Sequence, residues 1–387
     1  MIDPELDRRF PSVAYLERRA LRRMPRFMAD YVRCGMGRGG CVRRNRDDLD
    51  KVELMPRYSR SVPEVDTRIE LCGLHFAAPF GVAPVGLGSL AWPRAPAALA
   101  AAARRHQLPF VGSTVALAGL EALREQGGES AWLGLYRPNV PQVEEDLLQR
   151  AQDAGYETMV VTVDVPANTR RDHDIHNSFA LPPALTLRTV LDLMAHPSWS
   201  FAVGRETVRS GFPRFDSLER YLTDVTTAAR LRQMSGLIKG YVDVDAVARL
   251  RQLWPGRLLV KGVLDVDDAL RYRDAGADGI VVSNHGGRQF EAAPSAASVL
   301  PDIRTAVGDD YPLLADGGVR SGLDICRMLA LGANFVLLGR PFYYAVAALG
   351  AVGADHVMSV LKAELYCTLG QLGCASVTEL AERVRRA

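Results

Sequence analysis

From residue 77 onward, short runs rich in Val, Leu and Ile alternate with longer segments of helical periodicity. Eight such runs occur, at 79–85, 109–115, 131–137, 158–165, 258–263, 278–284, 312–317 and 334–340. They are continuously apolar, as strands buried on both faces are. Alternating strands and helices form a parallel sheet, and eight parallel strands can close into a barrel. The pattern predicts an α/β fold, a (β/α)8 TIM barrel, with an open doubly wound sheet as the structural alternative.

Two regions lie outside this repeat. Residues 1–76 form an arginine-rich segment, which we expect to be an N-terminal helical cap over one end of the barrel. Residues 167–240 form a long insertion after strand 4, far longer than an ordinary βα loop and therefore expected to be a functional or mobile lid. Because such barrels accept large insertions without dividing, we expect residues 1–387 to form a single domain.

Composition excludes several classes of protein. The chain has 48% hydrophobic and 24% charged residues, values typical of globular proteins. A net charge of +2 does not favour nucleic acid as a partner. The six cysteines form no CxxC pair and no Cys/His cluster with zinc spacing, so we expect reduced thiols, no metal site and a cytoplasmic location. The sequence contains neither the apolar run of a signal peptide nor a stretch of transmembrane length.

Polar residues collect at the carboxyl ends of the predicted strands, where barrel enzymes assemble their active sites. They are Tyr136, Asp164, Lys261, Ser283, Asn284, His285, Asp316, Gly317, Gly318, Gly339 and Arg340. In the run SNHGGRQ, from Ser283 to Gln289, His285 and Arg288 lie three residues apart in a glycine-rich loop. An imidazole and a guanidinium group placed in this way can accept a proton and hold a carboxylate.

Two further segments predict a phosphate site. They are DGGVRSG, from Asp316 to Gly322, and the run Gly339-Arg340-Pro341. The loops after strands 7 and 8 form the usual phosphate site of a barrel, in which backbone N–H groups, a helix N-terminus and an arginine neutralise the anion. Glycine-rich turns are common, so either segment alone is weak, but both together favour phosphate binding.

These motifs resemble the FMN-dependent 2-hydroxy acid oxidase and dehydrogenase family. The matching runs are SNHGGRQ, LLADGGVRSGLDICRMLALGANFVLLGRP, VKGV around Lys261 and TVDVP around Asp164. The resemblance extends from MPRFMADY (24–31) to LGC (372–374), and APVGLGSLAWP (83–93) is most similar to the mandelate dehydrogenase branch. It implies FMN as the cofactor and oxidation of an (S)-2-hydroxy acid to the 2-oxo acid, with His-assisted transfer of the C2 hydrogen to flavin N5.

The resemblance also implies roles for individual residues. His285 is the catalytic base with Asp164 as its partner, and Tyr31 and Tyr136 hydrogen-bond the substrate. The remaining expected contacts are Arg171 and Arg288 to the substrate carboxylate, Lys261 to flavin N1, Ser113, Thr162 and Ser283 to the flavin, and Asp316, Gly318, Arg320, Gly339 and Arg340 to the ribityl chain and phosphate. Three of these residues also have ordinary structural explanations: Asp164 as a strand-end cap, Tyr31 as part of an amphipathic helix, and Thr162 as a core residue.

Three positions depart from the family pattern. Gly134 stands where the family usually has a glutamine that contacts the flavin, so the flavin affinity or redox potential is expected to change. Val115 stands where glycolate oxidase has a tryptophan, and Gly86 where many oxidases have alanine. Both of these changes remove side-chain volume near the expected substrate site. They predict a bulky substrate, aromatic or long-chain.

The expected electron acceptor is O2, a quinone or another molecule, and we expect a homotetramer. The segment 184–204 carries an apolar helical stripe with Trp199 and Phe201, a region that contacts the membrane in the mandelate dehydrogenase branch. It predicts peripheral contact with the inner face of the cell membrane. The alternative is a lid or subunit contact, because the stripe is short and few basic residues flank it in the sequence.

Two other functions remain open at this point. One is a different FMN-barrel oxidoreductase or isomerase, which would share the phosphate site but which the His285/Arg288 pair disfavours. The other is a flavin-binding protein without catalytic activity, which would lack the base or the carboxylate-binding arginines.

Overall fold

The computed structural model describes residues 2–167, 169–177, 186–211, 214–223, 233–234, 236–238 and 240–385. Its strands are β1 Ile69–Leu71, β2 Leu74–Phe76, β3 Phe80–Val82, β4 Phe110–Ser113, β5 Ala131–Leu135, β6 Thr158–Thr162, β7 Arg257–Val263, β8 Gly279–Val282, β9 Leu313–Asp316 and β10 Phe335–Leu338. Strands β3 to β10 are parallel, and the barrel closes because β10 pairs with both β9 and β3. Closure excludes the open sheet and confirms the predicted (β/α)8 barrel.

Each of the eight predicted strands is present, but several end earlier than predicted. The runs 79–85 and 158–165 contain strands that end at Val82 and Thr162. Ala83 and Val163 still donate backbone hydrogen bonds to the neighbouring strands. The chain then leaves the sheet, and side chains such as Asp164 turn toward the barrel mouth. Most of the residues that the sequence places at strand ends therefore lie just outside the strands, whereas Lys261 and Asp316 lie within β7 and β9.

Helices surround the barrel. They are α1 Pro4–Arg9, α2 Val13–Arg23, α3 Arg26–Arg33, α4 Gly40–Asp50, α5 Gly88–Ala91, α6 Ala95–His106, α7 Leu120–Gly127, α8 Pro141–Asp153, α9 Asp172–His176, α10 Leu187–Ala195, α11 Pro197–Ser210, α12 Val244–Leu253, α13 Val266–Asp274, α14 Ala296–Val307, α15 Gly322–Ala330, α16 Arg340–Leu349 and α17 Ala351–Leu372. Asp265 and Ser321 cap the N-termini of α13 and α15, because their side chains accept hydrogen bonds from the first-turn N–H groups of Asp268 and Asp324.

An apolar plug fills the lower barrel. It includes one inward-facing residue from each of seven strands: Val111, Trp132, Val160, Leu259, Val281, Leu314 and Phe335. The β1–β2 hairpin closes it from below, where the Phe76 ring lies 5.9 Å from Trp132 and 5.4 Å from Phe335. Residues two further along each strand point the same way, and they are Ser113, Gly134, Thr162, Lys261, Ser283, Asp316 and Leu337. The plug therefore supports a largely polar layer at the carboxyl-terminal mouth.

The N-terminal segment reaches both ends of the barrel. Its hairpin closes the bottom, whereas α3 contacts α5 and α9 near the mouth and α4 packs against α14. Helix α2 packs its buried Leu16 and Ala20 toward α16. The predicted bounds of the cap, 1–76, and of the insertion, 167–240, stay predictions.

The insertion contains α9, α10 and α11. The two aromatic residues of the predicted apolar stripe, Trp199 and Phe201, do not lie on the same side of α11. Trp199 is buried: its ring packs edge-on against Phe27 at 5.8 Å, and its Nε1 donates to the Leu90 carbonyl at 3.0 Å. Phe201 is 73% exposed, since residues two apart on a helix face different sides. Residues 184–185 of the predicted segment lie outside the described residues. Within the described chain, no helix is both long and apolar enough to span a membrane.

Candidate active site

Side chains from three strand ends meet at the barrel mouth. Asp164 follows β6, and its Oδ1 lies 2.9 Å from Nδ1 of His285, which follows β8. The hydroxyl of Tyr136, just beyond β5, lies 3.2 Å from Nε2 of the same ring. A carboxylate at one ring nitrogen fixes the orientation of the imidazole and leaves the other nitrogen able to exchange a proton. Asp164 therefore pairs with His285 and is not a simple strand-end cap.

A buried charged network surrounds this pair. Burial disfavours the Asp164 carboxylate, but hydrogen-bonded His285 and the charge of Lys261 outweigh it and lower the pKa of Asp164. Burial also disfavours the Lys261 ammonium, yet Asp316 and Asp164 raise its pKa. The Lys261 Nζ lies 3.1 Å from Asp316 Oδ2 and 2.9 Å from Ser283 Oγ. These shifts favour the charged forms of the Asp164 carboxylate and the Lys261 ammonium group.

A glycine in β7 permits the close approach of Asp164. The register between β7 and β8 shifts at Gly262, whose φ is +110°. A Cβ atom there would lie 2.6 Å from both Cβ and Cγ of Asp164. Glycine in a strand often marks such a bulge. Gly262 therefore helps to set the position of the carboxylate that orients His285.

The loop after β8 has a left-handed backbone that is held from outside the barrel. His285, Gly286 and Gly287 have φ values of 57°, 63° and 77°. Left-handed geometry is unusual for a histidine and persists only where the surroundings impose it. Asn284 and Asn45 of α4 exchange two side-chain hydrogen bonds of 2.9 and 2.7 Å, and Asn284 Oδ1 also accepts from the Gly287 N–H at 3.1 Å. Helix α4 thus helps to fix the loop that carries His285.

Two guanidinium groups flank the ring of Tyr31. The Cζ atoms of Arg288 and Arg171 lie 4.7 and 5.2 Å from the ring centroid. Arg288 donates to the carbonyls of Tyr31 and Cys34 at 2.6 and 3.1 Å, and Arg171 pairs with Asp174 at 3.0 Å. Burial and the like charge of Arg171 lower the pKa of Arg288. A carboxylate can relieve this repulsion and match the planar fork of donors.

A second pair of arginines lies after the last two strands. Arg340 begins α16 and donates to the carbonyls of Val32, Gly286 and Cys34 at 3.0, 2.8 and 3.2 Å. Burial, then the charges of Arg320 and Arg288, lower the pKa of Arg340 to about 9. Burial lowers the pKa of Arg320 as well. Two buried cations beside a helix N-terminus suit a phosphate group.

One cavity of about 450 Å³ joins these groups. The predicted site residues that line it are Tyr31, Tyr136, Arg171, Lys261, His285, Arg288, Asp316, Gly318, Arg320, Gly339 and Arg340. Gly86 and Val115 also line it, together with Met28, Leu87, Phe215, Met234 and Ile238. A larger open groove of about 1650 Å³ surrounds the β1–β2 hairpin, away from the strand carboxyl ends. The smaller cavity is therefore the candidate active site.

The remaining predicted residues lie in the polar layer beside this cavity. Ser113, Thr162 and Ser283 are almost fully buried, and Ser113 Oγ accepts a hydrogen bond from the Val115 N–H at 3.2 Å. Thr162 is buried beside Lys261, its partner in the register between β6 and β7. The sequence therefore predicts a set of residues that the fold brings together.

Several residues of this region were not predicted. They are Gly262, Asn45, Asn284 as a structural contact, Phe215, Met234 and Ile238. The glycine inside the run VKGV could have indicated a bulge. No local pattern marks the others, because their positions depend on contacts between distant segments.

Comparisons with known proteins agree with this geometry. The family model described as FMN-dependent dehydrogenase matches residues 20–386. The (S)-mandelate dehydrogenase of Pseudomonas putida is 36% identical over 362 residues, which cover 93% of this chain and 90% of that protein. An L-lactate dehydrogenase of Caulobacter vibrioides is 39% identical over 377 residues, covering 95% and 97%.

Solved structures give the same result. The crystal structure of the monotopic membrane protein (S)-mandelate dehydrogenase matches with a TM-score of 0.91 at 34% identity, covering 97% of this chain and 99% of that one. Mandelate oxidase matches with a TM-score of 0.81 at 34% identity, covering 96% and 97%. These matches confirm the predicted resemblance and identify FMN as the cofactor of the family. The chain therefore belongs to the family of FMN-dependent dehydrogenases.

Proposed function

We propose that this enzyme oxidises an (S)-2-hydroxy acid to the corresponding 2-oxo acid. The observation that carries the proposal is that His285, oriented by Asp164, faces the same cavity as Arg171 and Arg288. A 2-hydroxy acid carries a hydroxyl group and a carboxylate on adjacent carbons, so its oxidation needs a proton acceptor beside a cationic binding group. The names of the relatives, mandelate and lactate dehydrogenase, support this substrate class.

In this proposal His285 is the general base. Its Nε2 accepts the proton of the substrate C2 hydroxyl group while the C2 hydrogen leaves with its electron pair and the carbonyl forms. FMN, when bound, supplies the acceptor for that hydrogen and electron pair. Asp164 stabilises the imidazolium that results, because its lowered pKa keeps it anionic. Tyr136, 3.2 Å from Nε2, is placed to hydrogen-bond the reacting oxygen.

Arg171 and Arg288 bind the substrate carboxylate in this proposal. Their guanidinium groups lie on the same tyrosine ring, and the hydroxyl of that residue, Tyr31, donates to the Gly86 carbonyl at 3.3 Å. Fixing the carboxylate at one side places the adjacent C2 carbon near His285. The two arginines and two tyrosines thereby orient the substrate for proton removal.

The second arginine pair and the polar layer fit FMN. Arg320 and Arg340, with Gly318 and Gly339, would hold its phosphate, since both guanidinium groups are buried and lie by the N-terminus of α16. Asp316 Oδ1 is buried without a hydrogen-bond partner among the described residues and can accept from a ribityl hydroxyl group. We assign Lys261, Ser113, Thr162 and Ser283 to the flavin ring, where a cation stabilises its reduced, anionic form.

We further propose that the substrate side chain is bulky. Gly86 and Val115 are neighbours, since a Cβ on Gly86 would lie 3.1 Å from a Val115 methyl group. The insertion contributes Phe215, Met234 and Ile238 to the same cavity. An apolar wall of this kind favours an aromatic or long aliphatic substituent, at about 0.8 kcal/mol per buried methylene group.

The test is a comparison of kcat/KM for (S)-mandelate, a long-chain (S)-2-hydroxy acid and glycolate. Because all three share the carboxylate and hydroxyl contacts, differences report the side-chain pocket. We expect the bulky acids to exceed glycolate by more than about tenfold, equal to about 1.4 kcal/mol. Equal or faster oxidation of glycolate would show that Phe215 and its neighbours fill the space.

We propose a peripheral membrane location. The side of α10 and α11 that faces water carries Leu187, Leu191, Met194, Phe201 and Val208, which are 77%, 56%, 71%, 73% and 90% exposed. The monotopic membrane location named for the related mandelate dehydrogenase supports this assignment.

The fold also brings basic residues to this surface, although few flank it in the sequence. Arg18, Arg19 and Arg22 of α2 line a groove with Ala195 to Ser198, and Arg23 Nε donates to Ser198 Oγ at 2.8 Å. Arginines beside exposed apolar side chains suit an anionic lipid surface.

A further inference from the structure

Three side chains with metal-binding atoms meet beside the active-site cavity. Asp30 and Cys34 lie one turn apart at the end of α3, and His173 lies in α9. A carboxylate oxygen, the thiol sulfur and an imidazole nitrogen lie within 4.8 Å of one another, a grouping found only here among the described residues. A surface pocket of about 400 Å³, lined in part by Asp30 and His173, opens the cluster to solvent.

We propose that Asp30, Cys34 and His173 bind Zn²⁺, with water at the fourth position. Thiolate sulfur, imidazole nitrogen and carboxylate oxygen are the ligands that zinc takes in proteins, at bond lengths of about 2.0–2.3 Å. The Asp30 Oδ1 and Cys34 Sγ atoms are 4.0 Å apart. A tetrahedral zinc ion holds such ligand atoms about 3.5 Å apart, so a shift of about 0.5 Å brings them into place. Binding releases the thiol proton of Cys34 to solvent, and the neutral nitrogen of His173 donates its lone pair.

Neighbouring charges permit an ion at this position. Arg33 and Arg26 lie 3.0 and 3.7 Å from the Asp30 carboxylate, and their side chains are 53% and 61% exposed. Both guanidinium groups can therefore swing out into the solvent when zinc takes their place beside the carboxylate. The Asn177 amide donates to Asp30 Oδ2 at 2.9 Å, which keeps the carboxylate oriented. Burial and the charge of Asp30 raise the pKa of Cys34, and the charges of Arg33 and Arg340 only partly oppose this rise, so the ion itself must displace the thiol proton.

A zinc ion here would join two segments of the candidate active site. Helix α3 carries Tyr31, and the Cys34 carbonyl accepts from Arg288 and Arg340. His173 lies two residues after Arg171. Zinc binding would therefore hold α9 against α3 and slow the exchange of the α9 backbone amides. The zinc site itself does not depend on the proposed substrate.

The test is calorimetric titration of ZnCl₂ into the FMN-loaded enzyme with its cysteine thiols reduced. We expect one ion per chain, and Cys34→Ser and His173→Gln each to weaken binding at least tenfold. Cys367→Ser and His75→Gln are matched controls, because these residues are exposed elsewhere, and they should bind zinc like the wild type. Hydrogen exchange should show slower exchange at 169–177 with zinc in the wild type and no change in Cys34→Ser.

Two results would overturn the proposal. One is the absence of saturable zinc binding to the wild type. The other is unchanged affinity in both Cys34→Ser and His173→Gln, which would place any bound zinc elsewhere. Because the titration measures binding without substrate, neither result bears on 2-hydroxy acid oxidation.

Discussion

Gly262 is the residue whose replacement should most clearly reveal the importance of the His285–Asp164 geometry. In Gly262→Ala the new methyl group meets Asp164 at 2.6 Å, and a side chain is disfavoured at φ +110°. We expect kcat to fall at least about tenfold and the free energy of unfolding to fall by about 1–3 kcal/mol. Steady-state kinetics and urea denaturation measure both effects.

Gly204→Ala is the matched control, because nothing lies within 4 Å of a Cβ at Gly204 in α11. It should retain full kcat. A Gly262→Ala enzyme with unchanged kcat would show that Asp164 can move without cost to the reaction.

Arg288→Lys tests the carboxylate-binding group. An ammonium cannot reproduce the two-pronged contact of a guanidinium, and it loses hydrogen bonds to the Tyr31 and Cys34 carbonyls. We expect kcat/KM for a 2-hydroxy acid to fall by about tenfold or more, equal to about 1.4 kcal/mol. Arg170→Lys, at an exposed neighbour of Arg171, should leave kcat/KM unchanged. Unchanged kinetics of Arg288→Lys would move the carboxylate site elsewhere.

Local sequence predicts single residues where the chemistry lies within one run or where a residue follows a predicted barrel strand. His285 and Arg288 are three residues apart, so SNHGGRQ contains both. Asn45 and Asn284 form a pair across distant segments, and no spacing rule reports it. The proposed zinc site shows the same limit, because the cysteines have no metal-binding spacing in the sequence and yet Cys34 lies beside His173 after folding.

The exposed apolar side of helices α10 and α11 predicts that these two helices contact the membrane. Leu191→Ser combined with Met194→Ser removes two exposed apolar side chains and should lower the fraction of enzyme that floats with anionic vesicles. Soluble turnover should not change, since neither residue lines the active-site cavity. Val352→Ser is a matched control at a 56% exposed position of α17. Wild-type enzyme that stays wholly unbound would favour a lid or subunit contact.

Elements were easier to predict than the faces they present. Eight apolar runs gave the eight barrel strands, because strands buried on both sides need continuous apolar sequence. The prediction that Trp199 shares an exposed apolar stripe with Phe201 was wrong, because side chains two residues apart on a helix point in different directions. The contact of Trp199 with Phe27 joins distant segments, so local sequence could not predict it. The arginines of α2 reach this surface for the same reason.

For the whole molecule, FMN should contribute strongly to stability. Burial disfavours the charges of Arg320 and Arg340, and the FMN phosphate that we propose to bind there would compensate them. Free FMN at about 100 times its Kd should stabilise the apoprotein by about 2.7 kcal/mol. Riboflavin, which lacks the phosphate, should stabilise it much less at equal concentration. Equal stabilisation in thermal unfolding would show that these arginines do not bind the phosphate.

The assembly of the chain stays a prediction, because one chain does not report its partners. Sedimentation of the FMN-loaded enzyme tests the predicted homotetramer. Local motifs do not predict the electron acceptor either, because its identity depends on access to the reduced flavin and not on the residues that remove the substrate proton.

Anaerobic mixing of the yellow enzyme with (S)-mandelate tests the central claim most directly. The loss of visible flavin absorbance reports substrate oxidation without any electron acceptor. We expect the wild type to bleach and His285→Gln to keep its FMN but bleach about 10²–10⁴ times more slowly, because only the base is lost. Near-normal bleaching of His285→Gln, or no bleaching of the wild type by any 2-hydroxy acid, would contradict the account.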